Sequence, residues 1–188
     1  LKEAKRLKAD VARGVFTHTL KNKIVGLIFE KPSLRTRISF EAGVNQLGGT
    51  SLFQAGSEVG LGIRESLPDF ARTISNYVNA IVLRVFKQST VEGIAKYSSV
   101  PVINGLSDTA HPCQALADFQ TIEECFGLLK NQVVVFVGDG NNVARSLAVG
   151  CGKLGLKMIL SCPKGYGFPK DFLEDYQEKV SKTLPEEI

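Results

Sequence analysis

The chain has 188 residues, 44% of them hydrophobic and 22% charged, with a net charge of +4. That is the profile of a soluble globular protein with one large domain, or one domain and part of another. So mild a positive charge does not by itself argue for nucleic acid, and no apolar stretch reaches the roughly 18 residues a membrane span needs.

Residues 1–13 read as an exposed amphipathic helix whose lysines and arginines form a solvated face. The run IVGLIF, residues 24–29, is a buried strand; Glu30-Lys31-Pro32 breaks it, and Ser33 stands where a helix N-cap belongs. That helix continues through 39–47 and closes at Gly48-Gly49. A second strand covers 50–53. Residues 56–64 (GSEVGLGIR) are glycine-rich without periodicity and read as a mobile loop. Residues 66–77 form an amphipathic helix with Leu67, Phe70, Ala71, Ile74 and Tyr77 on one face. A buried strand over 80–85 contains Arg84, a helix covers 89–97, and a short strand covers 100–103. This alternation implies an α/β fold, a parallel sheet flanked by helices.

A helix over 112–126 opens on Pro112. The apolar strand 133–137, the turn GDGNN, a helix over 143–154 and a strand over 157–161 make a β–turn–α–β piece of a doubly wound fold. The domain boundary falls near 128–132, giving a complete first domain over 1–130 and a partial second one over 131–188. Cys113, Cys125, Cys151 and Cys162 have no CxxC or metal-ligand spacing, and only His18 and His111 could join them. They read as free thiols in a reducing cytoplasm, with no metal site.

Chemistry concentrates at three places. In FEKPSLRTRISFE, residues 29–41, Arg35 and Arg37 sit in the first turn of a helix, where the dipole already places about half a positive charge. A cation there calls for an anion: free N–H groups, the hydroxyls of Ser33 and Thr36, and Arg35 make a phosphate or carboxylate cradle. The competing reading is a pair of solvated arginines. Arg84 lies among Val82, Leu83 and Val85, so it is either paired with a carboxylate or aimed at an anionic ligand. His111 opens the helix of HPCQ, where the dipole favours the neutral imidazole, a donor to a carbonyl oxygen; a His that merely caps the helix is the alternative. Gln114, one turn later, can donate and accept. An anion cradle, a second arginine, a neutral His and an amide suit acyl transfer from an acyl phosphate, with phosphate stabilised as the leaving group. No Ser–His–Asp triad or reactive cysteine is needed.

These segments resemble the aspartate/ornithine carbamoyltransferase family. FEKPSLRTRISFE is similar to its Ser-x-Arg-Thr-Arg phosphate motif, HPCQALADFQTI to its His-Pro-x-Gln helix, and VGDGNNVARSL to the ornithine branch. LGIRESLPDFART and KYSSVPVINGLSD also resemble that branch. The resemblance implies that Ser33, Leu34, Arg35 and Thr36 bind the phosphate of carbamoyl phosphate and that Arg84 bridges phosphate and carbonyl oxygen. His111 would hold that oxygen, Gln114 the amide nitrogen, and Asn142 the amino-acid end of L-ornithine. It further implies no cofactor, a homotrimer or multiple of trimers, and residues 56–64 as a loop reaching a neighbouring subunit's site.

Three departures from the family pattern stand out. Leu34 replaces a common Thr, which matters little if its backbone N–H is what counts. Gly60 stands where members often carry Gln or His. The later Asp…Ser-Met-Gly and His-Cys-Leu-Pro segments have no counterpart; position 1 is not Met and the chain stops just after a helix-like stretch, so both ends read as cut. Such a chain is expected to hold most of the carbamoyl phosphate site and one edge of the ornithine site, and to make little citrulline alone. The rivals are a sister transcarbamoylase acting on acetylornithine, putrescine or another amine, a fragment that only binds carbamoyl phosphate, an NAD-dependent oxidoreductase, and a non-enzymatic RNA-binding or regulatory module. The Gly138-x-Gly140 pair lacks the third glycine of the dinucleotide fingerprint, since position 143 is Val. No interleaving of aromatic and basic residues supports RNA.

Overall fold

Strand β1 (Ile24–Phe29) is apolar along its length because both of its faces are covered, as in a central parallel strand. In the computed structural model, which describes residues 1–188, it pairs in parallel with β2 (Thr50–Ala55) on one side and β3 (Ala80–Arg84) on the other. Strand β4 (Val102–Leu106) completes a sheet of order β2-β1-β3-β4. TSLFQA in β2 alternates between exposed and partly buried residues, as an edge strand does, whereas β3 repeats the continuous burial of β1. Helix α1 (Lys2–Ala12) precedes the sheet and carries Arg6, which bonds Glu3 and the buried Asp10, each at 2.6 Å.

The crossovers are α2 (Leu34–Gln46), the one-turn α3 (Gly56–Val59) with α4 (Leu67–Ser75), and α5 (Gln88–Tyr97). Val25, Leu27 and Phe29 pack with Val44 on the α2 side of the sheet, and Ile28, Ile81 and Leu83 with Phe70, Val91 and Ile94 on the other. Helices therefore cover both faces, as the alternation implies. Residues 56–64 differ from the expected irregular loop. A helical turn forms, Gly60 ends it at φ 64°, and Leu61 is buried. Gly56 makes this possible, because a Cβ there would come 2.7 Å from Glu30 Cγ. β4 begins two residues later and ends three residues later than its apolar pattern suggests. Gly105 lets it bulge against Leu83, whose carbonyl oxygen would lie 3.0 Å from a Cβ at 105.

A second compact unit, Asp108–Ile188, follows the first, Leu1–Ser107. It contains α6 (Pro112–Phe126), β5 (Val133–Val137), α7 (Asn142–Leu154), β6 (Lys157–Ser161), α8 (Lys170–Lys179) and β7 (Glu186–Glu187), with parallel sheet order β5-β6-β7. Two glycines of α7 let its neighbours close in. A Cβ at Gly150 would run into the Phe119 ring, and one at Gly152 into the Tyr176 hydroxyl. VVVFV in β5 is wholly apolar, yet only Val134 and Phe136 pack on the core; Val133, Val135 and Val137 are exposed. No helix is long and apolar enough to cross a membrane.

Cys151, buried in this core, has its thiol pKa pushed up to about 11 by burial. Since the unfolded chain ionises this thiol near pH 9, the folded state binds more protons between about pH 9 and 11, so stability falls as pH rises through that window. Urea unfolding of wild type and Cys151→Ala at pH 8 and 10.5 is expected to show a steeper alkaline loss in wild type. Equal losses would mean that the buried thiol is not the group that titrates.

Candidate functional site

The strand order of the first unit reverses between β1 and β3. β1 is followed by β2 on one side, and β3 by β4 on the other. The carboxyl ends flanking such a reversal form a crevice where open parallel sheets bind ligands. Phe29 and Arg84 are register partners, so the segment leaving β1 and the guanidinium ending β3 meet there.

Ser33 caps α2 as its position suggests. Its backbone is extended (φ −161°, ψ 112°), and its Oγ accepts from the Thr36 N–H at 3.2 Å. The N–H groups of Leu34 and Arg35, the first two of the helix, have no partner and point outward from its positive end. The Leu34 side chain is 73% exposed, so this residue offers the crevice its backbone rather than its side chain. Arg84 Nη1 makes a long 3.4 Å contact with Thr36 Oγ1, while its Nε is buried without a hydrogen-bond partner. No carboxylate pairs with it. Burial, and then the charge of Arg35, push its pKa down. Of the two readings open for Arg84, the structure supports the one aimed at an anion.

The two arginines of the α2 start divide. Arg37 donates to Glu41 Oε1 at 2.9 Å and lies 3.6 Å over the Phe53 ring, a structural assignment. Arg35 is exposed and carries no ion pair. Ser33, Thr36, Arg35, Arg84 and two bare N–H groups thus form a cradle with a surplus of donors and positive charge and no carboxylate. Glu30, which composition did not single out, braces it by accepting the Phe86 N–H at 2.8 Å, tying the chain after β3 to the end of β1. No local sequence signal marks Glu30 for this role; the closeness of Gly56 to it exists only in the folded chain.

Capping and binding can be separated at Ser33. Aspartate caps a helix as well as serine does but places a negative charge where the anion would sit. Ser33→Asp is expected to keep the melting temperature within about 2 °C, since cap exchange is worth a few tenths of a kcal/mol. It should weaken phosphate binding at least tenfold by calorimetry. Ser33→Ala should instead lose about 1 kcal/mol of stability. Unchanged phosphate affinity in Ser33→Asp would remove Ser33 from the cradle.

The second unit gathers His111, Gln114 and Asn142 at the starts of α6 and α7. His111 is the N-cap residue of α6 (φ −136°, ψ 65°), but its side chain makes no cap bond, contrary to the capping alternative. Its backbone N–H donates to Ser146 Oγ on α7 at 2.8 Å. Gln114 Nε2 donates to Asp118 Oδ1 at 2.9 Å, which leaves the amide oxygen as the end offered to a ligand. The i,i+4 spacing of Gln114 and Asp118 is readable in the sequence; Ser146 left no local signal.

Asn142 opens α7, whose N-cap is Asn141. The Asn141 Oδ1 accepts from Val143 N at 2.9 Å and Ala144 N at 3.1 Å. Gly140 is required for space. A Cβ there would run into the Gly167 carbonyl oxygen, and the Gly140 N–H already donates to Tyr166 O at 2.8 Å. Arg145 Nε, bonded to Gly140 O at 3.0 Å, locks the turn. Close packing therefore accounts for the glycine that a dinucleotide fingerprint would also use. Gly60 likewise has a local reason: its left-handed φ, and a Cβ that would lie 2.9 Å from Arg64 Cβ. No three His, Cys, Asp or Glu side chains converge as a set that could hold a metal ion.

Comparison with known proteins identifies the family. Residues 1–124 match the family model described as aspartate/ornithine carbamoyltransferase, carbamoyl-P binding domain, and residues 130–187 match the corresponding Asp/Orn binding domain. The chain is 50% identical over 182 residues to the ornithine carbamoyltransferase of Caldicellulosiruptor saccharolyticus, covering 95% of this chain and 59% of that one. It is 49% identical over 166 residues to that of Bacillus subtilis, covering 88% and 51%. The solved ornithine carbamoyltransferase from Pyrococcus furiosus superposes with a TM-score of 0.93 at 43% identity, covering 98% of this chain and 60% of that one. The chain spans 51% to 60% of the length of these three relatives.

Proposed function

The chain belongs to the aspartate/ornithine carbamoyltransferase family, and from that premise we propose that it transfers the carbamoyl group of carbamoyl phosphate to the δ-amine of L-ornithine, giving L-citrulline and phosphate. The observation that carries this reading is the cradle itself. Arg84 has no carboxylate partner and stands beside Arg35 at a strand-order reversal, above two bare N–H groups and two hydroxyls. Ser33, Leu34, Arg35 and Thr36 take the phosphate. Arg84 bridges the phosphate and the carbonyl oxygen, His111 donates to that oxygen, and the Gln114 amide oxygen accepts from the carbamoyl NH2. Asn142 contacts the amino-acid end of ornithine.

The amine lone pair forms the new C–N bond, and carbonyl polarisation by His111 and Arg84 stabilises the charge that develops on oxygen. The C–O bond to phosphorus's oxygen then breaks. Phosphate leaves with the electron pair into a site already rich in donors, and the nitrogen releases one proton. The chemistry requires neither cofactor nor metal. We place the functional division at 130/131, so that α6, with His111 and Gln114, belongs by function to the carbamoyl phosphate module. We further propose a homotrimer or a multiple of trimers in the cytoplasm, with arginine biosynthesis as the purpose.

Citrulline formation against a panel of ornithine, acetylornithine and putrescine tests the reading. Ornithine is expected to be the preferred acceptor. Carbamoylation of another amine in its place would move the protein to a sister activity. Phosphate release without any carbamoylated amine would leave a module that binds the donor only.

A further inference from the structure

We infer that Ser146 is a positioning residue for carbamoyl transfer, one hydroxyl that sets the spacing between the donor-carbonyl contact and the acceptor contact. The inference rests on the roles proposed above for His111 and Asn142. Ser146 lies on α7, four residues after Asn142, and its Oγ donates to the Asn142 carbonyl oxygen at 2.9 Å. A serine that bonds back one turn in a helix is ordinary. What is not ordinary is the second bond: the same oxygen accepts the His111 N–H at 2.8 Å, from 35 residues away in sequence.

A hydroxyl has one proton to give and lone pairs to accept, so a single Oγ can serve both bonds at once. The two backbone groups it joins carry the two side chains of interest. His111 is the N-cap residue of α6, outside the helical ladder, so its N–H has no bond from the helix itself. The Ser146 acceptor holds that peptide, and with it the direction in which the imidazole leaves the chain. Asn142 is the first residue of α7, held next to the braced turn Gly138–Asn141 by the Asn141 cap and by Arg145. Through Ser146 the rigid start of α7 becomes the reference against which His111 is placed. Angular error of a catalytic donor by tens of degrees removes much of its effect. The cradle of Ser33–Thr36 and Arg84 lies on other elements and does not depend on this hydroxyl.

The test compares affinities for carbamoyl phosphate and inorganic phosphate by calorimetry in wild type and in Ser146→Ala, Ser146→Thr and Ser146→Val, with thermal unfolding of each. Phosphate reports the cradle; the preference for carbamoyl phosphate over phosphate reports the carbonyl and amide contacts. Ser146→Ala is expected to lose about tenfold of that preference with phosphate affinity within twofold of wild type. Threonine and valine have nearly the same shape and differ in the hydroxyl, so Thr should keep the preference and Val should lose it, even if Ala proves too unstable to measure. Retention of the preference in Ser146→Val, or a parallel fall of both affinities in the variants, would overturn the inference in favour of a packing role. A wild-type chain with no preference at all would instead sink the donor reading, and this inference with it.

Discussion

Arg84→Met is expected to abolish useful phosphate binding and to raise the melting temperature at the same time. The guanidinium closes β3 between Leu83 and Val85, both fully buried, and its Nε is desolvated with no acceptor. That desolvation, and then repulsion by Arg35, push its pKa down. A folded-state pKa below the unfolded one means that folding works against the charged form at every pH where arginine is protonated. Methionine fills similar volume without the charge. Only part of the Arg84 side chain is buried and water screens the rest, so replacing this half-buried charge by an apolar side chain is expected to stabilise by less than about 1 kcal/mol, a rise of at most a few degrees. Against this, a charge-assisted hydrogen bond to phosphate is worth about 1.5–3 kcal/mol, so phosphate affinity should fall roughly ten- to hundredfold. Turnover should fall further, by about 10²–10³, if Arg84 also meets the developing oxyanion. Calorimetry with phosphate, beside thermal unfolding, reads both effects. A lowered melting temperature would show that Arg84 serves stability, contrary to its geometry.

Gly140→Ala should have the opposite distribution of effects. The added methyl meets backbone, the carbonyl oxygen and carbon of Gly167 and the Cα of Phe168 at 2.9 Å, and backbone cannot swing aside as a long side chain would. Accommodation requires the turn to move, which breaks the bonds from Gly140 N to Tyr166 O and from Arg145 Nε to Gly140 O. Overpacking with loss of two hydrogen bonds is expected to cost about 2–4 kcal/mol, localised to the second unit. Asn142 would be displaced, so on the role proposed for it affinity for the acceptor amine should fall at least tenfold. Phosphate binding by the first unit should remain. Hydrogen exchange resolved by segment would show faster opening of 133–188 and unchanged protection of 24–106. A uniform loss across both units would show that they unfold together.

Much of this fold is legible in local chemistry. IVGLIF announces a central strand, and Ser33 after Glu30-Lys31-Pro32 marks the α2 start. Pro112 opens α6 at the position expected, and the limits of β5, α7 and β6 fall within a residue of their patterns. These signals act over a few positions, through apolar periodicity, capping and the missing N–H of proline. Residues 56–64 differ because Gly56 serves a helical turn packed close to Glu30, a neighbour far away in sequence, rather than loop mobility.

Arg35 and Arg37 are indistinguishable by position. Phe53 on β2 takes Arg37 out of the cradle, and that contact exists only once β2 lies beside β1. The same holds at Arg84, where the lack of a carboxylate partner is visible only in what surrounds it in space.

By itself, then, the sequence determined the class of fold, the candidate anion-binding residues and the helix starts that present them. Each of these follows from neighbours along the chain. Only the tertiary structure decided that β3 pairs with β1, which brings Arg84 to Thr36, and that Ser146 reaches back to His111. Strand order and a bond spanning 35 residues depend on where the chain returns after each crossover, and that is set by the packing of whole elements, which no short stretch of sequence encodes.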